Sequence, residues 1–317
     1  FGDAERLCRM KSSKKYLSPL YPFLFGWALI LYSSSFSDLG LINGLGQLLL
    51  FTLVVCIPIW RTERMSYVDI GWPWGLVLLG LVSYWLSGGY WLRSLVVSAI
   101  VILIGLRMGL GALKMWHMGL LKKEFPRYQY QRRRWKKSGK TNVQLALQVD
   151  AISQGLANAS FLALPVFIIA SNTSSKLSGF ELAGLIIWGF AFAMETLADI
   201  QKLAFLQEMK KQGKQRQVCN VGLWRFCRHP NYFAEWMVWN GLIIAAIPSW
   251  WVLQSAESTM VWGLLGAGLL FTSRMMYSTL VHLTGAVPSE YYSARKRPDY
   301  ITYQQRTNRF FPGPPRE

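Results

Sequence analysis

Long apolar runs alternate with short polar connections along most of the chain. A helix that crosses the hydrocarbon of a bilayer needs about 20 mostly apolar residues. Eight stretches approach or meet that requirement: 20–37, 40–60, 66–86, 90–111, 145–170, 178–200, 231–249 and 258–283. The first is short and ends in serines. The fifth carries Gln148, Asp150, Gln154 and Asn158 in its first half and is the weakest apolar run. The pattern predicts an all-α, polytopic integral membrane bundle of about eight spans. Pairs of glycines four apart, Gly40/Gly44, Gly71/Gly75 and Gly105/Gly109, read as close helix packing. No internal repeat or low-complexity segment interrupts the pattern.

The connections give a second, independent pattern. Lys and Arg number five in residues 1–19, two in 61–65, ten in 112–144, seven in 201–230 and six in 284–317, together 30 of the chain's 34. The turns at 38–39, 87–89, 171–177 and 250–257 hold only Lys176. Basic and non-basic connections alternate without exception. The positive-inside rule then places both termini and every long loop in the cytoplasm. The expected organisation is a basic cytoplasmic segment, 1–19, followed by one transmembrane domain, 20–317. Whether the basic residues 1–18 belong to a targeting peptide stays open.

Composition agrees. The chain of 317 residues is 52% hydrophobic and only 16% charged, where a soluble domain carries about a quarter charged residues. Fifteen Trp and fourteen Tyr suit a membrane–water interface. The net charge of +18 would suggest nucleic acid in a soluble protein. Between apolar spans it reads as orientation charge in contact with anionic lipid, the run Arg132-Arg133-Arg134-Trp135-Lys136-Lys137 included. Cys8, Cys56, Cys219 and Cys227 lack metal-ligand spacing and read as reduced thiols. No metal site and no nucleic-acid partner is expected. Asn172-Thr-Ser174 is a glycosylation sequon in a non-cytoplasmic turn, meaningful only in a secretory compartment.

Ionisable groups inside spans are costly and mark functional candidates. Asp69, Arg107, Asp150, Glu195, Asp199, Glu235 and Arg274 are such groups, most of them near the cytoplasmic ends. Glu195 and Asp199 share one helix face, with Lys202 following on it. The densest polar motif is residues 222–236, from Gly222 through Arg225, Arg228, His229, Pro230, Asn231, Tyr232 and Glu235 to Trp236. Gly222 permits an unusual turn. Arg225 and Arg228 offer forked donors for phosphate. Pro230 suits the first turn of a helix, whose N-terminus attracts anions. Asn231 and Glu235 can hydrogen-bond a ribose or an amide. His229 can titrate, donate to phosphate or cap the helix. In the tail, Tyr291, Tyr292, Arg295, Tyr300, Tyr303 and Arg306 could clamp a planar ring and phosphates, or form an interfacial aromatic belt.

The stretch from Glu195-Thr-Leu-Ala-Asp199-Ile-Gln-Lys202 through Gly222–Trp236, with the tail Tyr-x-x-Tyr-Gln-Gln-Arg-Thr-x-x-Phe-Phe-Pro, resembles the steroid 5-alpha-reductase C-terminal superfamily, nearest to a poorly characterised bacterial and plant branch. Ser66-Tyr-Val-Asp69-Ile-Gly-Trp72, Arg107 and Arg127-Tyr128 fit the same branch. The resemblance covers residues 60–317 and is most specific over 195–240. It implies NADPH-dependent reduction of a carbon–carbon double bond conjugated to a carbonyl, in a lipophilic steroid-like or isoprenoid-like substrate. The cofactor pocket would open to the cytoplasm and draw on residues 195–317. By position, Asp199, Asn231, Glu235 and Tyr303 would contact the cofactor. Arg225, Arg228, His229, Tyr232, Tyr292 and Arg306 would neighbour it, and Lys202 and Lys210 would lie near its phosphates.

Hydride would pass to the β-carbon while a proton donor polarises the carbonyl oxygen. Asp69 is the best-placed acid, and Arg107 and Tyr67 complete the catalytic set, with Tyr84 as the alternative tyrosine. The tyrosine expected about one turn before Arg107 is missing, since Ile104 stands three residues before it. That departure weakens a steroid substrate more than it weakens the cofactor. The Arg-His-Pro-Asn-Tyr core is shared with sterol reductases and with isoprenylcysteine carboxyl methyltransferases. An S-adenosylmethionine-dependent methyltransferase is therefore one alternative, and a non-enzymatic membrane scaffold or lipid-binding protein is another. A monomer is expected.

Overall fold

The computed structural model describes residues 14–316, and every regular element among them is helical. The expected basic segment 1–19 thus lies largely outside the described residues, and Cys8 lies wholly outside them. Helix α1 is Tyr21–Tyr32, α2 Ser37–Thr62, α3 Met65–Leu86, α4 Trp91–His117, α5 Pro126–Lys137 and α6 Val143–Ala170. Helix α7 is Gly179–Lys211, α8 Pro230–Ser255, α9 Thr259–Ser278, α10 Ala286–Lys296 and α11 Tyr300–Arg306.

Seven helical stretches are long and apolar enough to cross a membrane: α2, α3, α4, α6, α7, α8 and the run Thr259–Lys296 that holds α9 and α10. Their length and composition mark an integral membrane protein. The apolar run at 20–37 differs from the other seven. Its helix, α1, has 12 residues, roughly 18 Å at the helical rise. It stops where Ser33 turns extended (φ −66°, ψ 131°). Exposed side chains show where hydrocarbon belongs. Leu41, Leu45, Leu49 and Leu53 form an outward stripe on α2, and Leu182, Ile186 and Phe190 form one on α7. Such stripes at helical spacing would be a liability in water and are at home against lipid.

The chain divides into two compact units. The first comprises residues up to Leu177 together with Ala246–Phe271, and the second Ser178–Ala245 with Thr272–Glu317. The expected cofactor-binding part, 195–317, thus overlaps both.

In the first unit, α3 packs chiefly on α4, and α6 lies against α2 and α3. The glycine pairs read as packing sites are packing sites. A Cβ on Gly105 would meet the Pro73 carbonyl oxygen at 2.6 Å, and one on Gly71 would meet Val55 at 2.2 Å. A Cβ on Gly44 would meet the Trp27 ring at 2.3 Å. Helix α6, the weakest apolar run, is the most enclosed helix of the unit, and every residue from Ala163 to Ala170 is buried. Its Asn158 meets Asn43 and Gln47 of α2 in a buried polar contact, with Asn158 Oδ1 left unbonded. Asn158 donates to the Trp72 carbonyl (3.0 Å), Gln47 donates to Gly75 O (2.7 Å) and to Asn43 Oδ1 (3.1 Å), and Asn43 donates to Asn158 O (3.1 Å). Between its two pieces, Val143–Ala159 and Ala163–Ala170, α6 breaks at Ser160 (φ −119°, ψ −103°). Pro165 explains the break, because it lacks the N–H that would return to residue 161 and its ring crowds that carbonyl.

In the second unit, α7 and α8 cross with backbone nearly touching backbone. A Cβ on Gly184 would lie 2.3 Å from Ala245 N, and one on Gly241 would lie 2.7 Å from Trp188 N. A π-helical turn, Thr279–Leu283, follows α9 and leads to Gly285, where a Cβ would fall 1.9 Å from the Leu280 carbonyl oxygen.

Candidate functional site

The polar motif of the second unit folds as a loop laid on α7. Gly222 has φ +53° and ψ −128°, a conformation open in practice only to glycine. A side chain there would collide with Gln201, whose Oε1 accepts the Leu223 amide (2.9 Å). One helical turn, Leu223–Phe226, follows. Its Trp224 indole donates to the Ala198 carbonyl (2.9 Å), and the Lys202 ammonium sits 4.2 Å over the Trp224 ring. Pro230 then opens α8, as its fixed φ favours. Asn231 Nδ2 donates to Asp199 Oδ1 (3.1 Å), while Asn231 Oδ1 is buried without a hydrogen bond. The loop is thus tied to α7 at Gln201, at Ala198 and at Asp199.

Behind this loop lies a knot of charge centred on Glu290 of α10, a buried residue that the sequence reading did not single out. Oε1 accepts Arg228 Nε (2.8 Å) and lies 3.2 Å from His229 Nε2, while Oε2 accepts Arg309 Nε (3.1 Å) and Gln304 Nε2 (3.0 Å). Arg228 Nη1 also donates to the carbonyls of Gln304 and Thr307. These bonds seal the tail onto the loop. The Arg228 amide donates to Asn308 O (2.8 Å), the Cys227 thiol to Phe310 O (3.0 Å) and the Gly313 amide to Phe226 O (3.1 Å). The buried Tyr303 hydroxyl donates to the Trp224 carbonyl. One sequence signal pointed to Glu290, as the only carboxylate between Ser258 and Pro298 in a stretch with several cations.

Electrostatics follow the burial. Desolvation lowers the pKa of His229 from its ordinary value, against the pull of Glu290, and so favours the neutral ring. The same cause pushes the Cys227 thiol up to about 11 and the Tyr300 hydroxyl to about 12, and it raises Tyr303 too.

The other expected cofactor residues are placed variously. Lys210, Arg225 and Arg306 are exposed, and Glu235 and Tyr292 are half-buried. Tyr232 stacks on His229 with ring centroids 5.4 Å apart, and Tyr292 meets Tyr291 edge-on at 5.1 Å. Arg228 and His229, read as phosphate neighbours, direct donors to Glu290 and to backbone carbonyls. Glu195 is buried on α7, one turn before Asp199.

The expected catalytic residues belong to the first unit. Asp69 stands at the start of α3, where its Oδ1 accepts the Tyr128 hydroxyl (2.8 Å) and pairs with Arg127. Asp69 Oδ2 is buried and makes no hydrogen bond. Burial, and then the Asp69 charge, raise the Tyr128 pKa well above that of an ordinary tyrosine, so the phenol keeps its proton. The Tyr128 hydroxyl is the one that meets Asp69. Tyr67 instead receives a long bond from Arg64 (3.5 Å). Arg107 is half-buried on α4. Nearby, Glu124 accepts the Met65 amide (2.9 Å) and the Ser66 hydroxyl (3.0 Å). Together these bonds tie the segment before α5 to the start of α3.

Among the described residues no group of three or more His, Cys, Asp or Glu side chains could hold a metal ion. No curated protein and no solved structure matches the chain. A family described as "Protein of unknown function (DUF1295)" matches residues 59–307, about four-fifths of the chain and parts of both units, and the chain belongs to that family.

Proposed function

We propose that the chain is a membrane-embedded oxidoreductase that uses NADPH to reduce a carbon–carbon double bond of a lipophilic enone. The observation that carries this reading is the Gly222–Asn231 loop on α7. It pairs Asn231 with Asp199, leaves one amide oxygen, Asn231 Oδ1, buried and orphaned, and carries the Lys202 ammonium over its Trp224 ring. Buried polar atoms are rarely left unpaired, so an unpaired one at a junction of polar groups marks a place for a ligand donor. The donor set suits a nucleotide: an Asx pair for ribose or carboxamide, an ammonium and the exposed Arg225 for phosphate. The resemblance to the steroid 5-alpha-reductase superfamily falls on these same residues. When bound, NADPH would supply the hydride. Arg228, His229 and Glu290 would hold the loop in shape. Asp69, expected as the acid, is held within the first unit as the partner of Arg127 and of the protonated Tyr128.

In this reading the basic connections face the cytoplasm and both termini lie there. Helical residues 14–17 and a 3₁₀ turn, Ser18–Leu20, precede α1, and this extension would carry the chain across as an eighth span. The test is binding of NADPH and S-adenosylmethionine, side by side, to detergent-purified protein, read by thermal shift. Saturable stabilisation by NADPH, lost in Asn231→Ala and Glu235→Ala, supports the reductase. Stabilisation by S-adenosylmethionine alone would move the protein to a methyltransferase. Binding of neither would leave a lipid-binding scaffold.

A further inference from the structure

We infer that the first unit carries a water-filled groove along α6, which opens beside Asp150 and ends, deep in the membrane, at a water bound by the free Asn158 side-chain oxygen. This inference does not depend on the reductase reading.

The groove follows from which side chains α6 leaves open. Between Ala146 and Ala159 only Gln148, Asp150, Ile152 and Gln154 are half-buried, and the other residues are buried. Three of those four are polar. A lipid-facing helix shows the reverse, as the exposed Leu182, Ile186 and Phe190 of α7 do. Polar and ionisable side chains within a span face protein or a water-filled cavity, because hydrocarbon offers them no partner. Asp150, Gln154 and Asn158 follow one another at every fourth position and so form one stripe. The stripe is about 12 Å long at the helical rise. Gln148 is engaged elsewhere, its amide donating to Cys56 O (3.0 Å).

The two ends of the stripe differ. At the outer end Asp150 is hydrogen-bonded to Gln154 and faced by Lys140 and Arg134. Tyr16 stands there too, with the Lys140 ammonium 5.7 Å over its ring and its hydroxyl accepting the Asn142 amide (2.9 Å). Water solvates such groups well. At the inner end Asn158 is wholly buried, two residues before the break in α6 at Ser160. Its Nδ2 donates to the Trp72 carbonyl (3.0 Å), which makes Oδ1 the acceptor, and Oδ1 is buried without a hydrogen bond. A buried acceptor in a polar setting is commonly completed by an internal water. A cation would have to pass Lys140 and Arg134, and α6 offers it one carboxylate, Asp150. Water meets neither obstacle. The groove thus gives the interior of the first unit access to water and to its protons.

The test uses the full chain in phosphatidylcholine nanodiscs, with its four cysteines replaced by serine. Single cysteines are then labelled with a charged methanethiosulfonate, which reacts from water and not from lipid. Gln154→Cys should react about tenfold or more faster than the lipid-facing Ile186→Cys, because charge is excluded from hydrocarbon. Ile186 lies closer to the start of its helix than Gln154 does, so depth alone predicts the opposite order. Asp150→Cys, nearer the open end, should react faster than Gln154→Cys. Rates at both positions as slow as at Ile186 would overturn the groove. The inner water is tested in the wild-type chain by brief radiolysis in heavy-oxygen water, which oxidises side chains beside water. Trp72, half-buried and holding Asn158 through its carbonyl, should take up the label, and the fully buried Phe167 of α6 should not. Asn158→Leu removes the acceptor and should cut uptake at Trp72 about twofold or more. Phe167 staying unlabelled shows that α6 keeps its packing in that variant. Uptake at Trp72 that Asn158→Leu leaves unchanged would overturn the inner water.

Discussion

Glu290 receives Arg228 and Arg309 on its two oxygens and His229 beside them, with almost no solvent to share the charge. Removing one partner of a buried pair leaves an uncompensated charge and costs about 3–5 kcal/mol. Glu290→Gln should therefore lower the thermal midpoint of the purified protein sharply and detach the tail, measurable as faster proteolysis after Arg306. His229 adds a pH dependence. Its pKa is lowered by burial, against Glu290 and with Arg228 and Lys202 also facing it, so the folded state binds the proton less readily than the unfolded chain. The contribution of the neutral ring is complete above about 6.5, the unfolded value, and falls as pH drops below it. Denaturation midpoints between pH 8 and pH 5 should decline in wild type and decline less in His229→Gln. Equal declines would show that the ring does not govern this window. Neither group's role was legible in the sequence. Arg228 and His229 were visible as a motif, but their partner lies about 60 residues away, and nothing local ties a distant carboxylate to them.

At the scale of elements, glycines decide how closely helices approach. On α7, Gly184 meets the backbone of α8, whereas a Cβ on Gly189 would meet nothing within 4 Å. Gly184→Leu should cost about 1–3 kcal/mol or more by forcing the helices apart, and Gly189→Leu should be nearly silent. Comparing the two by thermal unfolding separates packing from helix propensity on one element. Gly105 and Gly111 form the same contrast on α4. The spacing of Gly105 and Gly109 announced a packing face in advance. Gly184 and Gly241 announced nothing, because they lie on different helices and their match exists only once α7 and α8 cross. The loop at Gly222 falls between these cases. A Gly before Trp-Arg-Phe hinted at a turn, but only the fold shows Gln201 filling the space above it.

For the whole molecule, two features bear on topology and processing. The sequon at Asn172 is available in sequence and engaged in structure. Its Nδ2 donates to the buried Ser249 hydroxyl (2.8 Å), and its carbonyl accepts the Tyr90 amide (2.9 Å). Expression in a secretory compartment should yield protein whose mobility is unchanged by glycosidase treatment, and a shift would contradict the engagement of Asn172. The division into two units predicts a second behaviour. Chains built from separate compact units need not unfold in one step. Thermal unfolding followed by hydrogen exchange at the backbone of Trp135 and of Trp224 should give separable midpoints.

The sequence alone determined what depends on local pattern. Apolar run length set the helical membrane class, charge alternation set the expected orientation, and glycine spacing set the packing faces within the first unit. These follow from solvent preference and helix geometry, which each segment carries by itself. The tertiary structure decided which polar groups meet. It brought Asn158 of the weak fifth run to Asn43 and Gln47 of the second inside the first unit. It gave Asp69 the Tyr128 hydroxyl, and it gave Arg228 the Glu290 carboxylate. A hydrogen bond needs its partners within about 3 Å. Pairings between residues tens of positions apart are therefore fixed by the packing of whole helices, which no single stretch of sequence encodes.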